Sequence, residues 1–206
     1  MLSPIQLLHL HTDFAHRYWS DLLLHAEERP FVIDATAGNG HDALVLAKAL
    51  EAAGGGRLTA VDVQQEAIDA TRAKLSASGK WPSVDLEWHV GDHCSLLEGL
   101  DEACATLVTF NLGYLPGGDK TITTTADSTL RALAAAERAV SPGGCISVTL
   151  YPGHEEGRRE EEQVLAHAAD LQQGGWSVLH SELLNQRSKR DPAIRAPSLL
   201  LLQRIN

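Results

Sequence analysis

Four acids stand where strands would end or helices begin in this chain: Asp34, Asp42, Asp62 and Asp92. Asp34 closes the apolar run Phe31-Val-Ile-Asp34 and is followed by Ala-Thr-Ala-Gly-Asn-Gly and a helical stretch from His41, which reads as strand, glycine turn, helix. Within it, Gly38-Asn-Gly40-His-Asp-Ala43 fits the G-x-G-x-x-A nucleotide-binding pattern in the context that pattern requires. Glycines in such a turn let a ligand approach the backbone closely. Asp62, ending the second strand, lies where a carboxylate can take both hydroxyls of an adenosine ribose.

Charge narrows the ligand. Phe31 to Ala47 contains no Lys or Arg, and the carboxylates around the turn would repel a pyrophosphate seated on the helix N-terminus. They suit a sulfonium and an ammonium, which favours S-adenosylmethionine over NAD, and the lack of Gly-Lys-Ser/Thr excludes a P-loop. Thr36, Gly38, Asn39, Gly40 and His41 from the turn are expected at the cofactor, with Asp62, Gln64, Asp92 and His93 from the next two strand ends. Asp42 either joins them or favours the macrodipole of its helix, and Asp92 after Gly91 also reads as an ordinary turn residue. Asp34 and Asp62 carry more weight, because carboxyl ends of adjacent strands are where open α/β sheets bind ligands.

A second polar constellation, Asn111-Leu-Gly-Tyr114-Leu-Pro-Gly-Gly-Asp-Lys120, follows the fourth expected strand. It resembles the Asn-Pro-Pro-Tyr loop of amino-group methyltransferases, with Leu112 and Gly113 in place of the prolines. That resemblance implies that the Asn111 amide oxygen and the Leu112 carbonyl hold the hydrogens of an acceptor nitrogen, while Tyr114 stacks on a planar base. Direct methyl transfer needs mainly alignment and desolvation. An alkyl amine must first lose a proton, and His41 and His154 are either acceptors of it or orienting partners. His154 lies in Tyr151-Pro-Gly-His-Glu-Glu-Gly157, which brings another polar loop to the same sheet edge.

The elements that must position these residues follow from periodicity. Apolar positions Ile5, Leu8, Phe14, Tyr18, Leu22 and Leu23 predict one or two helices before Pro30. Strands are expected at Phe31–Asp34, Arg57–Val61, Val84–Val90, Ala105–Phe110 and Cys145–Tyr151, the last entered through a Ser141-Pro-Gly-Gly turn. Helices are expected at His41–Ala53, Gln64–Ser78, after His93, at Ala126–Val140 and at Glu155–Gln173. This alternation predicts an α/β fold with a mostly parallel seven-stranded sheet and helices on both faces. The strands Trp176–Leu184 and Ser198–Ile205 are joined by a loop too short for a helical crossover, so they form a C-terminal antiparallel hairpin.

Composition agrees with a single domain spanning the 206 residues: 44% apolar and 21% charged, neither disordered nor fibrous. The net charge of −10 disfavours a general nucleic-acid coat while leaving one basic cluster, Arg187, Lys189, Arg190 and Arg195. The opening Met1-Leu-Ser-Pro-Ile-Gln lacks the regions of a secretory signal and no apolar run reaches a membrane span, so the cytoplasm is the expected compartment. Cys94, Cys104 and Cys145 fit no Cys-x-x-Cys pattern and read as free thiols, and the histidines show no metal-ligand spacing.

Taken together, Asp34 to Asp42, Phe110 to Lys120 and Tyr151 to Gly157 resemble the YtqB/MnmM family of class I methyltransferases, a family labelled as rRNA methylases and described as acting on tRNA. The resemblance runs from about Phe31 to Gln186. It implies a Rossmann-like class I fold, S-adenosylmethionine, a homodimer, and N-methylation of 5-aminomethyl-2-thiouridine at the tRNA wobble position. The chain departs from the family's Asn-Gln-x-Asn-x-Pro-Pro segment, carrying Asn185-Gln-Arg-Ser-Lys-Arg-Asp-Pro-Ala-Ile-Arg-Ala-Pro197 instead. Three other readings compete: the same chemistry on rRNA, protein or a small amine; a non-catalytic S-adenosylmethionine-binding dimeric module; and an NAD-dependent oxidoreductase.

Overall fold

The structure is a computed structural model and describes residues 10–112, 126–153, 155–171, 174–183 and 196–205. Its elements, in chain order, are α1 (Leu10–Leu24), β1 (Phe31–Asp34), α2 (His41–Ala52), β2 (Gly56–Asp62), α3 (Gln65–Ser78), β3 (Val84–Val90) and α4 (His93–Glu98). They continue with β4 (Ala105–Asn111), α5 (Ala126–Ala139), β5 (Val140–Leu150), α6 (Glu155–Leu171), β6 (Trp176–Ser181) and β7 (Ser198–Arg204).

The seven strands form one sheet in the order β3-β2-β1-β4-β5-β7-β6. Strands β1 to β5 pair in parallel, and β7 pairs antiparallel with both β5 and β6. The chain runs outward from β1 to β3, then returns to place β4 on the other side of β1. The crevice beyond the carboxyl ends of β1 and β4 is therefore the topological switch point, where open α/β sheets take their ligands.

Side-chain alternation fills both faces. Phe31, Ile33, Val108, Phe110, Ile146 and Val148 face one core with Leu97, Leu133 and Val164 of α4, α5 and α6. Val32, Leu58, Leu107 and Cys145 face the other, with Leu46 and Leu50 of α2 and Leu75 of α3. This period of two, with each strand buried on both sides, explains why the central strands read as near-continuous apolar runs. Helix α1 joins the second core through Ala15, Trp19 and Leu23, all fully buried, and so lies against α2 beside the switch point.

One expectation needs correction. The Ser141-Pro-Gly-Gly segment does not precede β5 as a separate turn. Val140 already pairs with Ala105, and the next aligned pair is Leu107 with Cys145, so residues 141–144 bulge from the strand, with Gly143 at φ 81°. Of the one or two helices expected before Pro30, the structure describes α1, while Ile5 and Leu8 lie outside the described residues. Among the described residues no helix is long and apolar enough to cross a membrane. All three cysteines are free thiols.

Candidate functional site at the switch point

The turn between β1 and α2 is built from backbone hydrogen bonds to the flanking strands. The Ala35 N–H donates to Thr109 of β4 at 2.9 Å and that of Ala37 to Val61 of β2 at 2.8 Å. Gly38 and Gly40 take left-handed conformations, φ 52° and 70°, that bring the chain round into α2. Gly40 packs against α3 so closely that a Cβ there would lie 2.7 Å from the Thr71 Cα. The Thr71 hydroxyl lies within hydrogen-bonding distance of the Gly38 and Ala37 carbonyls, which ties the turn to α3.

Asp62 supports the turn from the second strand end. Its two carboxylate oxygens accept from the Gly38 N–H at 2.9 Å and the Gln64 N–H at 3.0 Å. The group stays partly exposed and keeps acceptor capacity toward the crevice. Asp34 lies beneath the turn, wholly buried, with Oδ1 accepting from the Thr36 N–H at 3.3 Å. Burial, reinforced by the Asp42 and Asp62 charges, pushes its carboxyl up to about 8, so it is largely protonated at neutral pH.

That shift sets a pH dependence. The folded value of about 8 lies above the ordinary 3.8, so between the two the native chain holds a proton that the unfolded chain has released. The stabilisation is complete below the ordinary value and is lost as pH rises through about 8. Urea unfolding midpoints of the wild type should therefore fall more between about pH 5 and about pH 7.5 than those of Asp34→Asn. Equal slopes for the two proteins would contradict a buried, protonated Asp34.

Asp92 caps a helix. Its carboxylate accepts from the Cys94 and Ser95 N–H groups at 3.2 and 3.3 Å and from the Ser95 hydroxyl at 3.1 Å. Burial raises its carboxyl, but these hydrogen bonds outweigh it and hold the group below its ordinary value. Asp92→Ala should cost about 1 kcal/mol, the usual loss for an N-cap carboxylate, read by denaturant titration. Beside it, burial pulls the His93 imidazole below the ordinary histidine value, against the opposing Asp92 charge, so the ring is neutral. His93 meets Phe110 edge to face, with ring centroids 5.7 Å apart.

Asn111, the last residue of β4, sits two residues past the Asp34–Thr109 pair and so stands directly over the glycine turn. Its backbone N–H donates to the Thr36 hydroxyl at 2.7 Å, and its side-chain Nδ2 donates to Asp42 Oδ2. Leu112 is buried and donates its N–H to the Thr149 carbonyl of β5 at 3.0 Å. Burial raises the Tyr151 phenol, and the Asp42 charge adds to the effect, which brings the end of β5 to the same group of residues.

Of the residues expected at the site, Asp34, Thr36, Gly38, Gly40, Asp42, Asp62, Gln64, Asn111 and Leu112 thus meet at or under the switch point. Asn39 is exposed at the tip of the turn. His41 is exposed and pairs with Lys74 Nζ at 2.9 Å, so α3 supplies a cation that the linear stretch from Phe31 to Ala47 lacks. Gly113, Tyr114 and the loop to Lys120, His154, and the basic cluster Arg187 to Arg195 lie outside the described residues. Sequence reasoning missed His16 of α1, whose Nε2 lies 2.7 Å from Asp42 Oδ1. Its only signal was its place in a helix whose buried side includes Ala15 and Trp19.

The profile of the putative rRNA methylase family matches residues 58–196. The chain belongs to that family. A methylase-family structure from Clostridium thermocellum is 30% identical, with a TM-score of 0.79 and coverage of 98% of this chain and 99% of that one. A methyltransferase of Streptococcus mutans, solved with S-adenosylhomocysteine, is 26% identical, with a TM-score of 0.75 and 98% of each chain covered. The chloroplastic tRNA (mnm5s2U34)-methyltransferase of Arabidopsis thaliana is 39% identical over 85% of this chain and 65% of its own length. Ribosomal RNA small subunit methyltransferase J of Halorhodospira halophila is 32% identical over 64% of this chain and 48% of its own. The chain thus spans just under two thirds and about half of these two relatives. The methylase-family match starts at Leu58, so the glycine turn and α1 lie ahead of it.

Proposed function

We propose that this family member is an S-adenosylmethionine-dependent methyltransferase that N-methylates 5-aminomethyl-2-thiouridine at the tRNA wobble position. The observation that carries the reading is Asn111 fixed over an acidic glycine turn at the switch point. The likeness to the Arabidopsis enzyme supports the substrate, and the S-adenosylhomocysteine bound to the Streptococcus mutans protein supports the cofactor.

The residues fit that cofactor. Gly38, only partly buried, leaves the backbone open to close approach, and Asp62 offers its remaining lone pairs to ribose hydroxyls. Two buried polar atoms beside the crevice, Asp34 Oδ2 and His93 Nε2, have no hydrogen-bond partner among the described residues, a costly state for a fold unless the place serves a function. When bound, the cofactor supplies a methyl group activated on a sulfonium. The chain's own part is to hold the acceptor in line and exclude water. Asn111 Oδ1 accepts a hydrogen of the incoming amine, which points the nitrogen lone pair at the methyl carbon. His41, turned toward Lys74, is not aimed at that amine.

Under this reading the chain is one catalytic domain, works in the cytoplasm as a homodimer and takes the tRNA anticodon stem-loop as partner. Single-stranded loop bases are recognised by stacking and edge contacts. The family description and the Halorhodospira relative favour rRNA as the second reading. The test is incubation with labelled S-adenosylmethionine and tRNA carrying 5-aminomethyl-2-thiouridine, followed by digestion and mass spectrometry of the nucleosides. The methylaminomethyl nucleoside is the expected product. Unmodified tRNA beside labelled rRNA would overturn the tRNA reading in favour of the second.

A further inference from the structure

Asp42 has partners that its own helix does not explain. As the second residue of α2 it could serve the helix N-terminus, yet both its oxygens are engaged by side chains from other elements: Oδ1 by His16 of α1 and Oδ2 by Asn111 of β4. The His16 and Asp42 side chains are only 24% and 15% exposed, so both contacts are largely withdrawn from water, where they are stronger. We infer that His16 and Asp42 are positioning residues, which fix the Asn111 amide so that its oxygen faces the acceptor amine.

The argument is one of donors and acceptors. The two ends of an asparagine amide are nearly identical in shape, and only the hydrogen-bond partner decides which way round it sits. An ionised carboxylate can only accept, so Asp42 takes the NH2 end and turns Oδ1 away from itself. A flipped amide would set two carbonyl-type oxygens against each other and present N–H groups to an amine that itself needs an acceptor. His16 holds the other carboxylate oxygen and must carry its proton on Nε2 to do so, which stops Asp42 from rotating off Asn111.

His16 is itself held in place. Ala15 and Trp19 on either side of it are buried against the α2 core, and its ring leans on Trp19 with centroids 5.0 Å apart and planes at 53°. The Asn111 backbone is pinned independently by the Thr36 hydroxyl. Main chain and side chain of Asn111 are therefore both set by residues that precede the methylase-family match, and α1 becomes part of the reaction machinery.

This inference rests on the role given to Asn111 in the proposed function, so its test includes a readout that needs no substrate. In the full-length protein the Asn111 side-chain NH2 resonances, assigned by their loss in Asn111→Ala, should shift and exchange faster in Asp42→Asn and His16→Ala. Methyl transfer to aminomethyl-thiouridine tRNA should fall about thirtyfold in kcat for Asp42→Asn and about tenfold for His16→Ala. Affinity for S-adenosylhomocysteine should stay within about twofold of the wild type in both. His16→Gln, which keeps a donor for Asp42, should recover to within about threefold, and Asp42→Asn should add nothing to Asn111→Ala.

Unmoved NH2 resonances, additive effects in the double variant, or a loss of cofactor affinity that tracks kcat would overturn the inference. The last result would make Asp42 a cofactor ligand instead. Should Asp42→Asn not fold, His16→Ala and His16→Gln decide alone. Should the wild type not methylate this tRNA, the tRNA reading fails, and the NH2 resonances still decide the inference.

Discussion

Asn111→Ala should lower kcat for methyl transfer about a hundredfold or more while leaving the melting temperature and cofactor affinity nearly unchanged. Methyl transfer by direct displacement places its demand on alignment, and Asn111 Oδ1 is the group assigned to hold the amine hydrogen. Removing it leaves the amine free to rotate, and misplacement of a reacting atom by about 1 Å is enough for an effect of this size. Stability should hold because the Asn111 backbone bond to Thr36 and its pairing in β4 survive the change. Single-turnover kinetics beside calorimetric titration with S-adenosylhomocysteine separates the two quantities. A variant with wild-type kcat and weakened cofactor binding would move Asn111 from the acceptor side to the cofactor side.

Gly40→Ala is expected to lose about 3 kcal/mol of stability, from two terms that add. A left-handed conformation costs a residue with a Cβ about 1 to 2 kcal/mol, and overpacking against a neighbour that cannot yield costs about as much again. The neighbour here is backbone, the Thr71 Cα at 2.7 Å, with the Thr71 hydroxyl at 2.8 Å. For a chain of 206 residues the loss corresponds to a melting temperature lower by about 6 to 12 °C. Gly54→Ala is the matched control: Gly54 is also left-handed, φ 92°, but has nothing within 4 Å of a built Cβ. It should lose only the conformational term. Equal losses at Gly40 and Gly54 would show that contact with α3 does not constrain the turn.

Both predictions rest on features of different legibility. The conformational need at Gly40 was readable from Gly38-Asn-Gly40 between an apolar strand and a helix, whereas the Thr71 contact joins residues 31 positions apart and has no sequence signature. Asn111 was likewise singled out from its loop as a candidate. Its partners were not readable there, because they come from α1 and α2.

The acids divide in the same way. Asp34 and Asp62 were placed correctly at adjacent strand ends, yet only Asp62 retains exposure toward the crevice while Asp34 lies wholly buried under the turn. Asp92, expected at the cofactor, has its oxygens engaged by its own helix N-terminus, the local use that a polar residue after Gly91 also allowed. The absence of Lys and Arg from the turn was true of the segment and untrue of its surroundings, since Lys74 reaches His41 from the neighbouring helix.

The parallel α/β class with its terminal antiparallel pair and most element spans, β5 excepted, were legible in the chain alone, as were the strand ends where polar residues gather. Those features are written in local periodicity and turn chemistry, which depend on residues a few positions apart. Only the tertiary structure decided the role of each polar group: that Asp34 is buried and protonated, that Asp92 caps α4, and that His16 and Asp42 close on Asn111. A polar side chain takes whichever partner the packed elements bring within hydrogen-bond reach. For Asp42 those partners lie 26 positions before it and 69 after it, a pairing set by how α1 and β4 pack beside α2.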